Sequence, residues 1–167
     1  SAAMRDDMIA LGMPGERIAV HHTGIDHSRF APAPRAPAKA ALGVTGPLVV
    51  SVGALIPRKG HDRVIGAVAA LPGVSLIVAG EGPERSNLEA MIAAEGLGDR
   101  VRLTGAVAHD AMPGLMAAAD VMALASASEG LANVWVEALA CGTPIVVPDV
   151  GGAREVVSLD SSGPALA

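Results

Sequence analysis

The chain has 167 residues, of which 51% are hydrophobic and 1% are aromatic, and its formal net charge is −5. This length and hydrophobic content suit one well-packed domain with an aliphatic interior. The acidic charge argues against a nucleic-acid or anionic-membrane partner, and the shortage of aromatic rings excludes the stacking platforms that bind single-stranded nucleic acid.

Cellular location is indicated by the single cysteine and by the apolar runs. Cys141 has no partner for an internal disulfide, which fits a reducing compartment. Pro72 and Gly73 interrupt the longest apolar stretch, so no transmembrane segment is expected. The amphipathic beginning, "SAAMRDDMIALG", carries acidic residues early and is unlike a signal peptide. We therefore predict a cytoplasmic chain.

Apolar runs of strand length alternate with segments of helical period along the chain. The predicted strands are, in chain order, "RIAVHH", "PLVVSVG", "VSLIVAG", "RVRL", "DVMALA" and "TPIVVP". The predicted helices span 62–71, 84–95, 109–118 and 134–140, and the proline-rich stretch 30–46 reads as an extended connection followed by a short helix. Strands that are apolar at every position are typical of a parallel sheet covered on both faces. The pattern predicts a doubly wound α/β domain.

Ligands of such sheets bind beyond the carboxyl ends of the strands, where "GALIPRKGHD" follows the second predicted strand. Arg58 and Lys59 are adjacent cations here, but Gly60 occupies the position where a P-loop needs a hydroxyl. The stretch is therefore not a P-loop. The pair is either a solvated surface feature or a local phosphate site.

A second strand end carries "SASEGLANVWVEALACGTPIVV", in which seven residues separate Glu129 from Glu137. A helix that starts near Asn133 would present free amides to an anion. Glu137 lies one helical turn beyond Asn133, so both carboxylates could line one cleft and accept hydrogen bonds from sugar hydroxyls. The alternative is a solvated helix face, but the coincidence with two cations and with Gly151-Gly152 at other strand ends favours a site.

Together these segments resemble the carboxyl-terminal domain of the family 4 retaining glycosyltransferases, which have the GT-B fold of two facing Rossmann-like domains. The similar segments are "HHTGIDHSRFAP", "VGALIPRKGHDRVI", "LIVAGEGPERSNLE" and "VRLTGAVAHDAMPGLMAAADVMALASASEGLANVWVEALACGTPIVVPDVGGAREVV". The resemblance implies a Rossmann-like, doubly wound parallel sheet that forms the carboxyl-terminal half of a GT-B enzyme. Residues 1–16 would be a helix leaving an absent amino-terminal domain, and 17–167 would be the nucleotide-sugar-binding domain, truncated at its carboxyl end.

The resemblance also implies roles for individual residues, with Glu129, Lys59 and Arg58 as the catalytic candidates. Lys59 would bind the donor diphosphate with help from Arg58, Glu129 would position the transferred sugar without attacking it, and Glu137 would bind the ribose. The remaining donor-binding candidates, which contribute backbone or border the base, are Gly53, Gly130, Leu131, Ala132, Asn133, Gly105 and Val107. One departure from the family is Ala54, where members usually have an arginine.

The implied activity is retaining transfer of a sugar from a nucleotide-diphosphate sugar to a glycan, lipid or small-molecule acceptor. The acceptor would bind through the amino-terminal domain, so this chain alone would bind donor and transfer nothing. The full-length protein would lie at the inner face of the membrane. No metal or other cofactor is expected, because the five histidines lack acidic partners at zinc-motif spacing. Alternatives are a non-catalytic nucleotide-sugar-binding or regulatory module, suggested by Ala54, and a GT-B sugar-nucleotide epimerase.

Overall fold

A computed structural model describes residues 1–22 and 24–157 of the chain. Its centre is a five-stranded parallel sheet in the order β3-β2-β1-β4-β5. The strands are β1 (Leu48–Val52), β2 (Ser75–Ala79), β3 (Val101–Gly105), β4 (Val121–Ala123) and β5 (Ile145–Val146). The strand order reverses between β1 and β4, where Val50 pairs with Met122. This arrangement confirms the predicted doubly wound α/β sheet.

Helices cover both faces of the sheet, and most of them lie where the sequence predicts. They are α1 (Ala2–Ala10), α2 (Arg35–Ala41), α3 (His61–Ala69), α4 (Arg85–Ala94), α5 (Met112–Ala118), α6 (Asn133–Ala140) and α7 (Ala153–Val156). Short 3-10 turns occupy Gly15–Arg17 and Pro57–Lys59. The extended connection of residues 30–46 does lead into a helix, α2. The sequence prediction did not include α7.

The alternation of side chains along β2 explains the two-sided core. Leu76 and Val78 pack on one face with α3 and α4, whereas Ile77 and Ala79 pack on the other with α5. A third cluster contains the fully buried Trp135 of α6 together with residues of β4 and α5. Because both faces are covered, β2 has to be apolar at consecutive positions.

The predicted strand "RIAVHH" is wrong. Residues 17–22 form the end of a 3-10 turn and irregular backbone, and none of them is buried. An apolar run becomes a strand only when a neighbouring strand supplies hydrogen bonds and a core covers one of its faces, and Ile18 has neither. The last predicted strand, 143–148, shortens to Ile145–Val146 between two prolines, which lack the amide that a ladder needs.

Two charged side chains join loops and helix ends to the sheet. The Arg100 guanidinium donates to the carbonyls of Val68, Ala69, Leu71 and Val74, which end α3 and form the turn after it. Asp120 accepts from the Leu48 amide at 2.7 Å and pairs with Lys39 of α2. Both side chains satisfy backbone or charged groups that helix and strand ends leave open.

Within residues 1–22 and 24–157, no helix combines the length and the apolar character needed to cross a bilayer. The end of the predicted domain, residues 158–167, lies outside the described residues.

Candidate functional site

The candidate site lies at the carboxyl ends of β1 and β4, where the strand order reverses. After β1 the chain passes Gly53, forms the turn Pro57–Lys59 and enters α3. Gly60 has a φ of 65°, and a Cβ there would lie 2.2 Å from the Ala125 carbonyl oxygen. The Ala127 amide donates to the Arg58 carbonyl at 2.8 Å. Only glycine permits this approach, which joins the cation-bearing turn to the segment after β4.

Both predicted cations are directed toward Glu129. Lys59 Nζ lies 2.5 Å from Glu129 Oε1, and Arg58 Nη1 lies 3.7 Å from Oε2. Arg58 also donates to the Ser128 carbonyl. The side chains of Lys59 and Glu129 are 15% and 8% exposed, whereas Arg58 is 48% exposed. The structure thus brings together the three residues that the sequence interpretation named as catalytic candidates.

Glu129 is held as a carboxylate. Burial, the largest influence, raises its pKa, but the hydrogen bond from Lys59 and the charges of Lys59 and Arg58 bring the pKa below its ordinary value of 4.5. Ser126, three residues before Glu129, is buried, and its hydroxyl has no hydrogen-bond partner within residues 1–22 and 24–157. An ionised carboxylate accepts hydrogen bonds and donates none, so Glu129 suits the positioning of hydroxyl groups rather than proton donation.

The segment after Glu129 leads into the start of α6. Leu131 and Ala132 precede the helix, and no side chain caps its first turn. Glu137, one turn into α6, lines a small cleft with Asn133, Gly24 and neighbouring residues. Burial raises the pKa of Glu137, an effect that the charge of His109 partly opposes. Glu129 is not among the residues that line this cleft.

A glycine pair packs directly against the Glu129 loop. A Cβ on Gly151, whose φ is 52°, would lie 1.6 Å from the Glu129 carbonyl oxygen. The Gly152 amide donates to the Gly130 carbonyl at 2.5 Å. The sequence indicated only a glycine-rich strand end at Gly151-Gly152. In the structure the two glycines allow the backbone to pack closely against the loop that carries Glu129.

The residues predicted to border the base lie on the β2–β3 side of the same edge. Gly105 ends β3 and accepts from the Gly80 amide at 2.8 Å. The Glu81 carboxylate lies 3.6 Å from the position that a Cβ on Gly105 would take. Val107 is partly buried against the cluster formed with α5. The role of these positions as base-binding residues stays a prediction.

Two buried polar residues near the site, His61 and Ser51, were not among the predicted site residues. His61 begins α3, and its side chain is 2% exposed. Its Nδ1 lies 2.9 Å from Ser51 Oγ in β1. The available signal was an isolated serine within an apolar strand, followed ten residues later by a histidine at a helix start.

Comparisons with known proteins point to one family. Residues 33–165 match the family described as "Glycosyl transferases group 1". The D-inositol 3-phosphate glycosyltransferases of Mycobacterium tuberculosis and Mycobacterium bovis are each 42% identical over 149 residues. That match covers 84% of this chain and 31% of theirs. The chain therefore spans about a third of the length of these relatives.

Solved structures show the same architecture. Anabaena Alr3699/HepE, determined in complex with UDP and glucose, superposes with a TM-score of 0.86 at 34% identity, covering 94% of this chain and 45% of that one. Sucrose-phosphate synthase from Thermosynechococcus elongatus superposes with a TM-score of 0.72 at 32% identity, covering 79% and 35%. Both match less than half of the solved chain.

Proposed function

The chain belongs to the glycosyl transferases group 1 family, and on this premise we propose that it binds the nucleotide-sugar donor of a glycosyl-transfer reaction. The observation that carries this proposal is the convergence of Lys59 and Arg58 on Glu129, at the point where the strand order reverses. A diphosphate placed beside the two cations would have the uncapped start of α6 on its other side.

Each group then has a separate task in transfer. The diphosphate competes with Glu129 for Lys59, and the released carboxylate becomes available to hydroxyls of the sugar. As the bond to the sugar breaks, negative charge grows on the leaving diphosphate, and Lys59, Arg58 and the amides of 131–133 stabilise it. Glu137, at the cleft one turn into α6, accepts hydrogen bonds from the ribose. No protein nucleophile and no metal is required by this arrangement.

The alternative of a non-catalytic module rests on Ala54, where the usual second cation is missing. Arg58 offers a replacement because its guanidinium lies 3.7 Å from Glu129 and donates to the neighbouring Ser128 carbonyl. A planar guanidinium can bind a phosphate through two parallel hydrogen bonds, which an ammonium cannot do. We therefore favour a transferase over a binding module.

Transfer itself and the acceptor are proposed by analogy with the family. By that analogy, a glycan, lipid or small-molecule acceptor binds to a second domain that faces this one, and the protein acts in the cytoplasm at the inner face of the membrane. UDP is the first nucleotide to test, because solved relatives bind UDP and UDP-glucose.

Calorimetric titration with UDP-glucose, GDP-mannose and ADP-glucose tests donor binding. Lys59→Ala should weaken binding of the preferred donor by roughly 30-fold or more, because it removes a charge-assisted contact worth about 2–3 kcal/mol. Glu137→Ala should weaken it by about tenfold through the lost ribose contact.

Lys39 provides a matched control for Lys59. Its side chain is equally exposed, at 15%, and it also pairs with a carboxylate, that of Asp120, away from the site. Lys39→Ala should therefore leave donor affinity within about twofold of the unmodified protein, although it lowers stability. If no nucleotide sugar binds, or if Lys59→Ala and Lys39→Ala affect affinity equally, the proposed site is wrong.

A further inference from the structure

His61 is a buried imidazole beneath the proposed diphosphate site. It is the first residue of α3, it is 2% exposed, and its Nδ1 lies 2.9 Å from Ser51 Oγ. In the described part of the chain its Nε2 is buried and has no hydrogen-bond partner. Leaving a buried polar group unpaired is costly, so such a group in a folded protein calls for an explanation.

The unpaired nitrogen lies under the turn that follows β1. A Cβ on Gly53 would be 3.7 Å from His61 Nε2, and 3.5 Å and 3.6 Å from Cδ and Cε of Lys59. His61 and the stem of Lys59 therefore border the same space beside the Gly53 backbone. The three atoms nearest to that Cβ position belong to Lys59 and His61, so a movement of the turn or of Lys59 would change the surroundings of Nε2.

The surroundings of His61 indicate which ring nitrogen carries the proton. Burial, the largest influence, lowers the pKa of His61, and Lys59 lowers it further, whereas the backbones of Ala54 and Gly53 and the charge of Asp62 raise it. The net lowering keeps the ring neutral. A nearby carbonyl raises a histidine pKa, so we assign the single N–H to Nε2, with the Ser51 hydroxyl donating to Nδ1. The carbonyls of Gly53 and Ala54 approach Nε2 without completing a hydrogen bond in this structure.

We propose that His61 is a positioning residue of the diphosphate site, whose Nε2–H bonds to a carbonyl of the Gly53–Ala54 turn when a nucleoside diphosphate is bound. The bound diphosphate draws Lys59 away from Glu129 and brings the turn down onto the imidazole. The hydrogen bond that is missing in the free protein is then formed, and it holds the turn in its ligand-bound position. This inference rests on the proposed function, because it requires a diphosphate beside Lys59.

Nitrogen NMR of the protein labelled with 15N-histidine tests the inference directly. In the free protein His61 should show the neutral tautomer with the proton on Nε2, and saturating UDP should move its Nε2 and Hε2 signals downfield. If calorimetry shows that UDP binds but the His61 signals do not change, the inference is wrong.

Two variants separate the two ring nitrogens. In His61→Asn the shorter amide takes the place of Nδ1 and keeps the Ser51 contact, but it cannot reach the turn. In His61→Gln the longer amide places an N–H near the position of Nε2. The Kd for UDP should rise about tenfold in His61→Asn, the equivalent of about 1.4 kcal/mol, and should stay within about threefold in His61→Gln.

The outcomes distinguish this inference from the proposed function. If UDP and other nucleoside diphosphates fail to bind the unmodified protein, both fall. If UDP binds and Lys59→Ala weakens binding, but His61→Asn and His61→Gln bind equally well, only the role of His61 falls. Should either variant fail to fold, the NMR response of the unmodified protein decides the question by itself.

Discussion

Replacing Gly151 with alanine should displace Glu129 without removing any functional group from the site. The new Cβ would lie 1.6 Å from the Glu129 carbonyl oxygen, whereas real Cβ contacts are essentially never shorter than 3.0 Å. The carbonyl must therefore move by about 1.4 Å, the difference between these distances. That shift is large beside the 2.5 Å contact between Lys59 and Glu129. It should misplace the carboxylate relative to the sugar.

The expected consequence is a selective loss of sugar recognition. A charge-assisted hydrogen bond to a carboxylate is worth about 1.5–3 kcal/mol, so the Kd for UDP-glucose should rise by roughly 10- to 100-fold in Gly151→Ala. The Kd for UDP alone should rise much less, because UDP lacks the glucose hydroxyls from which Glu129 would accept hydrogen bonds. Titration calorimetry with UDP-glucose and with UDP measures both quantities on the same protein preparation.

Gly43→Ala is the matched control for backbone strain. Gly43 has a φ of 68° and Gly151 a φ of 52°, so both lie in the left-handed region. A Cβ on Gly43, however, would meet nothing within 4 Å. Both variants should lose about 1 kcal/mol of stability from the left-handed backbone, and only Gly151→Ala should lose sugar affinity. The reasoning is refuted if Gly151→Ala binds UDP-glucose as tightly as Gly43→Ala does.

Three further predictions concern stability. Because burial raises the pKa of Glu137 above 4.5, Glu137→Gln should match the unmodified protein at low pH and become the more stable of the two as the pH rises through the raised pKa. Burial raises the pKa of Asp120 but Lys39 and the other donors bring it below 3.8, so Asp120→Asn should lose about 1 kcal/mol at neutral pH, with allowance for its partial exposure. That loss should disappear as the pH falls from 3.8 through the lowered pKa. Arg100→Met should lose about 2 kcal/mol, because it leaves four carbonyls near the end of α3 without their donor.

Urea unfolding followed by circular dichroism between pH 3 and pH 8 measures all three. If the difference in unfolding free energy between Glu137→Gln and the unmodified protein is the same at pH 3 and pH 8, then burial of the ionised Glu137 carboxylate does not destabilise the protein. For Asp120→Asn, the contradictory result is a loss that grows toward acid pH. Arg100→Lys keeps a charge but cannot reach all four carbonyls, so a lysine variant as stable as the unmodified protein would exclude the capping role.

The positions of most helices and of the central strands could be predicted from the sequence. In β1 and β2 nearly every position is apolar, and this pattern suits only a sheet that is covered on both faces. "RIAVHH" failed because its local pattern is equally strand-like, but no partner strand or core lies beside it in the described chain. Local pattern reports propensity, whereas strand formation depends on pairing partners that are distant in sequence.

The fold class and the charged residues of the site follow from the amino-acid pattern alone. This pattern placed Arg58, Lys59 and Glu129 at strand ends, and the carboxyl ends of parallel strands must meet at one edge. The way in which these residues contact one another follows instead from packing in three dimensions. The direction of Arg58, the burial of His61 and the packing of Gly151 against Glu129 each depend on contacts between segments far apart in the chain. Such contacts are set by close packing, which a linear pattern of residue types does not encode.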